Sequence, residues 1–461
     1  MKSIEQVKQD VCATIDSKGS QIGEIGEKIR LNPELGFKEF QTAKVVADVM
    51  SSFSIPHQTE LAVTGVKGVI KGSKPGPTIA LMGELDSLLV ADHPQANPET
   101  GAAHACGHNA QIAGMLGAMI GISESGAMEN LAGTIVFFAV PAEEYVEVEY
   151  RMGQVRQGNI GFLGGKPELI RLGHFDDVDM AMMIHTHSRT DLSKVIMGTS
   201  SNGCVVKLVK YIGKAAHAGV APGMGINALN AANIAINAIH AQRETFKDQD
   251  TIRVHPIITK GGELVNVVPA EVRMESYVRG KSSAAIMDAD MKVNRALRAG
   301  AMAIGATVSI ETLPGYLPLN NDSALSEIFK QNSVSLLGED QFLEGGHGTG
   351  STDMGDISQI MPALHPGVGG AKGVAHSADF QIEDPELAYL VPGKLLAMSA
   401  IDLLYDKAEK GNDLLKNHTP QMSKQQYLDL QNQIFQIETY DGHNNKSEFS
   451  TFRDRSKNNF T

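Results

Sequence analysis

Through the first fifty positions apolar residues recur at helical spacing, from SIEQVKQDV to ADVMSSF, and the pattern breaks at Asn32-Pro33, where a new helix is expected to begin. From Thr78 the texture changes to short apolar runs bounded by Gly and Pro: PTIALMGELD, GTIVFFAVPAEE and DVDMAMMIHTH. These read as buried strands. Between the first two lies NAQIAGMLGAMIGI, a helix rich in small residues. The order strand, helix, strand predicts an α/β domain with a mostly parallel sheet covered by helices. Ligands of such sheets collect beyond the carboxyl ends of the strands.

From residue 200 the rhythm differs. Alternating CVVKLVKYIG leads into helical GINALNAANIAINAIHAQRETF, and two further strands, IRVHPIIT and NVVPAEVRMESYVRG, flank the turn at Lys260-Gly261-Gly262. A helix at MDADMKVNRALRAGAMAIG and a strand at ATVSIETL complete a βαββαβ order, which suits an inserted, open-faced α+β sandwich. Its sheet edge is available to a second copy, so a homodimer through this insertion is expected. The predicted organisation is a discontinuous catalytic domain (1–199 and 314–406), an inserted dimerisation or lid domain (200–313) and a polar tail (407–461) with one amphipathic stretch, QQYLDLQNQIFQI. The end of that tail is expected to be mobile.

Composition narrows the classes. With 40 Lys plus Arg against 53 Asp plus Glu the formal charge is −13, which argues against nucleic acid as a partner. Apolar residues make up 42% without a long biased tract, so most of the chain can bury a core. The N-terminus lacks an apolar signal region and no run of about 18 apolar residues occurs, so a cytoplasmic protein with no membrane partner is expected. Cys12, Cys106 and Cys204 are too few and too scattered for a disulfide framework.

Metal-competent groups follow each predicted strand of the first domain. Glu84 and Asp86 come after PTIALM, Glu143 and Glu144 after GTIVFFAV, and His185 and His187 after MAMMI, while Cys106 and His108 lie in the intervening loop. Thiolate, imidazole and carboxylate converging on one sheet edge make a plausible transition-metal shell. Individually each has a bland reading: a lone Cys is ordinarily a small buried hydrophobe, and a lone His a surface or hydrogen-bonded core residue. Adjacent glutamates, however, are costly to bury without a cation. His104 and His347 are weaker candidates. GGHGTGSTD lacks the lysine of a phosphate-cradling loop.

Taken together and in order, HACGHN (104–109), PAEE (141–144), AAHA (215–218), GINA (225–228), NVVP (266–269) and GVAHS (373–377) resemble the metal-dependent amidohydrolase and peptidase family of aminoacylases, hippurate hydrolase, auxin-conjugate hydrolases and p-aminobenzoyl-glutamate hydrolase. The resemblance spans roughly residues 20–405. NPELGF (32–37) is similar to that family's N-terminal signature, and STDMG (351–355) leans toward the p-aminobenzoyl-glutamate branch. The resemblance implies two divalent metal ions on Cys106, His108, Glu144, His185 and His376, with Glu143 as general base and Asp86 orienting a ligand. It implies further that His217 assists at the oxyanion, commonly in a partner subunit's cleft, and that Asn266 and Arg279 bind substrate. Asn109, Glu84 and Thr186 depart from the common family pattern, and His187, two positions along the same face, is an alternative to His185. Cys106 favours zinc, while the other donors would accept manganese, cobalt or nickel.

The expected activity is hydrolysis of the amide bond of a small N-acyl amino acid or an aminobenzoyl-glutamate-like conjugate. The alternatives are a dipeptidase or aminopeptidase of the same family, with Glu147 or Glu149 receiving a substrate ammonium, and a noncatalytic binding subunit that retains the fold.

Overall fold

A computed structural model of the protein describes residues 2–450, which divide into two compact units. The first comprises residues 2–200, 320–348 and 356–423. Its sheet runs His57–Leu61, Gly65–Lys71, Ala132–Val140, Lys74–Glu84, Met180–Met183, Ala363–Leu364. The last four strands are mutually parallel and the first two pair antiparallel. Ile79, Ala80, Leu81 and Met82 are all fully buried, which a strand achieves only when both faces are covered.

The helix His108–Glu124 is buried all round through Ile122, which explains why the sequence shows it as an apolar run without a polar face. Its small residues admit close neighbours: a Cβ at Gly121 would lie 2.6 Å from Ile15 Cγ1. The run Glu386–Leu404 is apolar and long enough to cross a bilayer, yet it is a core helix packed on His108–Glu124 and almost wholly buried. No helix begins at Pro33. Residues 31–39 are irregular, and the next helix starts at Phe40, where the Glu34 carboxylate accepts the N–H groups of Gln41 and Thr42 at 3.0 and 2.8 Å.

The second unit holds residues 201–319, 349–355 and 424–450. Its strands follow the order Arg253–Val254, Glu271–Gly280, Gly203–Ile212, Thr307–Pro314, Gln436–Asp441, Lys446–Ser450, with Ile257–Lys260 also on Glu271–Gly280, all antiparallel. Helices Ala228–Ala241 and Ser283–Ile304 cover one face through Val205, Val209, Tyr211, Val272 and Val278. This is the βαββαβ unit with two additions. Residues 314–319 and 349–355 group with it, and so does much of what reads in sequence as a polar tail. Helix Lys424–Ile434 and a hairpin extend the sheet, Thr307 pairing with Asp441 and Thr312 with Gln436. Arg298 anchors the hairpin at Glu438, 2.8 Å away. One of the two sheet edges that could meet a second copy is therefore occupied by the chain itself. The segment QIETYD buries Ile437 and Tyr440 but is otherwise polar, so its pattern is too weak to announce a strand. Of the segment KSEFSTFRDRSKNNFT, whose end is expected to be mobile, Lys446–Ser450 forms the second strand of this hairpin and residues 451–461 lie outside the described residues.

Candidate metal centre

Three parallel strands of the first unit end beside one another and deliver the charged groups. Lys74–Glu84 ends at Glu84, with Asp86 two residues on; Ala132–Val140 leads into Pro141-Ala142-Glu143-Glu144; Met180–Met183 leads to His185. Gly107, at φ 87°, caps the helix that begins at His108, and a Cβ there would lie 2.7 Å from that of Thr186, so the loop carrying Cys106 packs tightly against the His185 strand.

Two triads result. The donor atoms of Cys106, His108 and His185 lie within 4.8 Å of one another, and so do those of Cys106, Glu144 and His376. Cys106 belongs to both. Its Sγ is 3.3 Å from His185 Nε2, and His376 Nε2 is 3.3 Å from Glu144 Oε1. His187 belongs to neither triad; its Nδ1 accepts the Arg189 N–H at 3.1 Å. His347 bonds Ser200 at 2.9 Å, apart from both groups. His104 is buried with both ring nitrogens unpartnered, and burial followed by the charge of His108 lowers it to about 3.

The tautomers suit metal binding. His108 Nδ1 lies 2.9 Å from the Asp86 carbonyl and His185 Nδ1 2.7 Å from the Thr186 carbonyl, so each Nδ1 carries a hydrogen and each Nε2 is turned to the site. Against burial, Glu84 and Cys106 raise His108 and Cys106 raises His185, so each Nε2 holds a proton that a cation would displace. His108 Nε2 is buried without a hydrogen bond, 3.1 Å from Glu84 Oε2. A lone pair against a carboxylate in a dry site is repulsive unless a cation or proton intervenes, and the residues present fit a cation. Charges reinforce this. Burial and Glu144 raise the Cys106 thiol, but the imidazoles of His185 and His108 outweigh them and bring it down to about 6. Burial likewise opposes ionisation of Glu144, yet His376 holds it at about 2.

Around the triads stands a buried frame. Glu84 takes Lys166 Nζ at 2.6 Å and Gln111 at 2.8 Å. Asp86 accepts the Glu144 N–H at 2.8 Å, and its other oxygen lies 3.3 Å from His108 Nδ1. Glu143, buried next to Glu144, has its carboxylate 4.0 Å from His108 Nε2. Glu39 accepts the Ala142 N–H at 2.8 Å and Thr64 Oγ1 at 2.6 Å, and burial together with the charge of Asp86 raises it to about 7. Sequence reasoning missed Glu39, Lys166, Arg151 and His365, whose ring stacks edge-on to His185 at 5.7 Å. Glu39 and Lys166 could have been found only as charges set in otherwise buried segments.

In the second unit His217 and Asn266 are neighbours: His217 bridges Val267 and the Ala218 N–H donates to the Asn266 carbonyl at 2.9 Å. Both side chains are exposed. Arg279 stands at the far end of the next strand, its guanidinium 5.2 Å from the Tyr277 ring centroid, on a cavity of about 460 Å³ that Arg253, His255 and Glu275 also line.

A parallel sheet whose strand ends gather such donor groups is suited to a metal-dependent enzyme, and the family to which the chain belongs hydrolyses amide and peptide bonds. The chain belongs to peptidase family M20/M25/M40, whose family model matches residues 80–393. It is 28% identical over 429 residues to Xaa-Arg dipeptidase of Mus musculus, covering 88% of this chain and 90% of that one. It is 27% identical over 382 residues to IAA-amino acid hydrolase ILR1-like 4 of Arabidopsis thaliana, covering 79% and 82%. A solved structure described as a dinuclear metal-binding peptidase, from Bacillus subtilis, superposes with TM-score 0.62 at 21% identity over 84% of this chain and 99% of that one.

Proposed function

We propose that this enzyme cleaves the amide bond of a small N-acyl amino acid or aminobenzoyl-glutamate-like conjugate with two divalent cations. One would be held by Cys106, His108 and His185, the other by Cys106, Glu144 and His376. The observation that carries this reading is the sharing of Cys106 between two donor triads, with the buried Glu143 beside them in a third group with His108 and Glu84. Bound there, such cations would acidify water and polarise the amide carbonyl. Glu143 takes the proton of the attacking water and returns it to the leaving nitrogen. Asp86 holds His108 in the tautomer that leaves Nε2 available. In the second unit His217 is suited to donate to the oxyanion, Asn266 to bond the amide and Arg279 to grip a carboxylate. The donor set suits zinc or manganese, with cobalt or nickel also acceptable. The dimer proposed through the second unit would use the sheet edge at Ile257–Lys260, where Ile257 and Ile258 are exposed. A cytoplasmic location is part of the same reading.

The alternative is dipeptide hydrolysis, which the likeness to Xaa-Arg dipeptidase favours. Glu147 is not suited to receive a substrate ammonium because Lys38 already occupies it at 2.8 Å. A panel of N-acetyl and N-benzoyl amino acids, p-aminobenzoyl-glutamate and dipeptides, with zinc, manganese or chelator added, separates these readings. Chelator-sensitive release of amine from the acylated substrates supports the first and from dipeptides alone the second. Silence throughout supports a binding subunit, against which the retained Glu143 speaks.

A further inference from the structure

We infer that Arg151 is a positioning residue for Glu143 and Glu144, acting through the backbone on which they sit. The inference rests on the proposed role of that pair. The two glutamates occupy a sharp elbow: Ala142 has φ 54°, a left-handed conformation that is strained for an L-residue. Such a conformation persists when surrounding bonds over-determine it. The Ala142 N–H is held by Glu39 and the Glu144 N–H by Asp86. The carbonyls on the opposite side converge on one guanidinium.

Arg151 Nη1 donates to the Leu163 carbonyl at 2.8 Å and lies 3.5 Å from that of Ala142, while Nη2 donates to the Glu144 carbonyl. The side chain is wholly buried, with the Phe37 and Tyr145 ring centroids 5.4 and 5.8 Å from its central carbon. It has no carboxylate partner among the described residues. A buried cation neutralised only by carbonyl oxygens and aromatic faces is a costly way to fill space, which a Met or Leu would fill at lower cost. Its planar fork, however, can hold several carbonyls in one fixed geometry.

The supporting structure is built around this group. Arg151 sits on the helix Val148–Gln157, in which only Val148, Arg151 and Met152 are buried. A polar helix with so small an apolar contact is held largely by what Arg151 reaches. On the facing segment Gly36 leaves the room the guanidinium needs, because a Cβ there would lie 2.3 Å from Nη2. The segment 145–164 thus carries a cation back to the elbow from which it departs. Glu143 needs this, because a base displaced by about 1 Å can lose a hundredfold in rate.

Two variants and two readouts test the inference. In Arg151→Met, kcat should fall about ten- to a hundredfold with KM changed less than about threefold. Bound metal at saturation should be unchanged. Amide hydrogen exchange in the metal-free protein should rise at Ala142 and Glu144 while the core helix 108–124 keeps its protection. Arg151→Lys, which keeps the charge and a donor, should recover part of both effects. Should Arg151→Met fail to fold, the same comparison between Arg151→Lys and the wild type decides. Unchanged exchange at the elbow, or wild-type kcat in Arg151→Met, would overturn the role. The exchange arm needs no turnover, so it stands even if the panel above finds no substrate.

Discussion

The sulfur of Cys106 lies 3.3 Å from Nε2 of His185 and is at the same time a member of the triad completed by Glu144 and His376. A single soft donor common to both triads makes the two proposed cations depend on each other. Cys106→Ser should therefore release both, whereas His376→Ala should weaken chiefly the one it holds. Metal content after dialysis against graded chelator measures this, and retention of one full equivalent by Cys106→Ser would contradict a shared ligand.

Glu143 has a different assignment from its neighbour, and substitution should separate them. Glu143→Gln is expected to lower kcat by about 10²- to 10⁴-fold while metal content stays at the wild-type level. Glu144→Gln should lose metal as well as rate. Steady-state kinetics paired with elemental analysis distinguishes the two, and wild-type turnover by Glu143→Gln would remove it as general base.

The Cys106 thiol, brought down to about 6, predicts how cation capture depends on pH. Above that value the thiolate stands ready; below it a proton must leave before the sulfur can bind, so affinity should fall as the solution is acidified through pH 6. The far-ultraviolet thiolate absorbance of the metal-free protein should show a step near pH 6 that is absent from Cys106→Ser. A first step near pH 9 would refute the assignment.

Glu39 predicts a stability effect of opposite direction. Its carboxyl is raised from 4.5 to about 7 in the fold, so between those values the folded state binds more protons than the unfolded one. Stability contributed by the protonated form is complete below pH 4.5 and is lost as pH rises through 7, by at most about 3 kcal/mol. Glu39→Gln should flatten this decline and raise the Tm of the metal-free protein above pH 7. Parallel Tm profiles of variant and wild type would show that Glu39 does not titrate this way.

Much of the centre was legible because strand ends are written plainly: an apolar run that stops at a carboxylate or histidine identifies both the strand and the side that faces a ligand. Glu84, Asp86, Glu143, Glu144 and His185 are read that way and Cys106 and His108 from the loop between, whereas His376, on a loop far along the chain, is reached only through the family resemblance. Spacing alone left His185 and His187 as alternatives, and the partner of His187, the Arg189 N–H, is a local turn contact that periodicity does not encode. Lys166 reaches Glu84 from a segment 82 residues away, and such a pairing leaves no local mark. Arg151 was hidden differently, since a helix with one buried cation and two buried apolar residues reads as a solvated stretch.

The pairing of Thr307–Pro314 with Gln436–Asp441 joins segments more than a hundred residues apart. During synthesis the earlier strand therefore leaves the ribosome long before its mate, and its hydrogen-bonding edge stays bare while the intervening chain is made. That interval exposes it to mispairing with other nascent chains, a hazard set by the speed of translation rather than by the strength of the finished sheet.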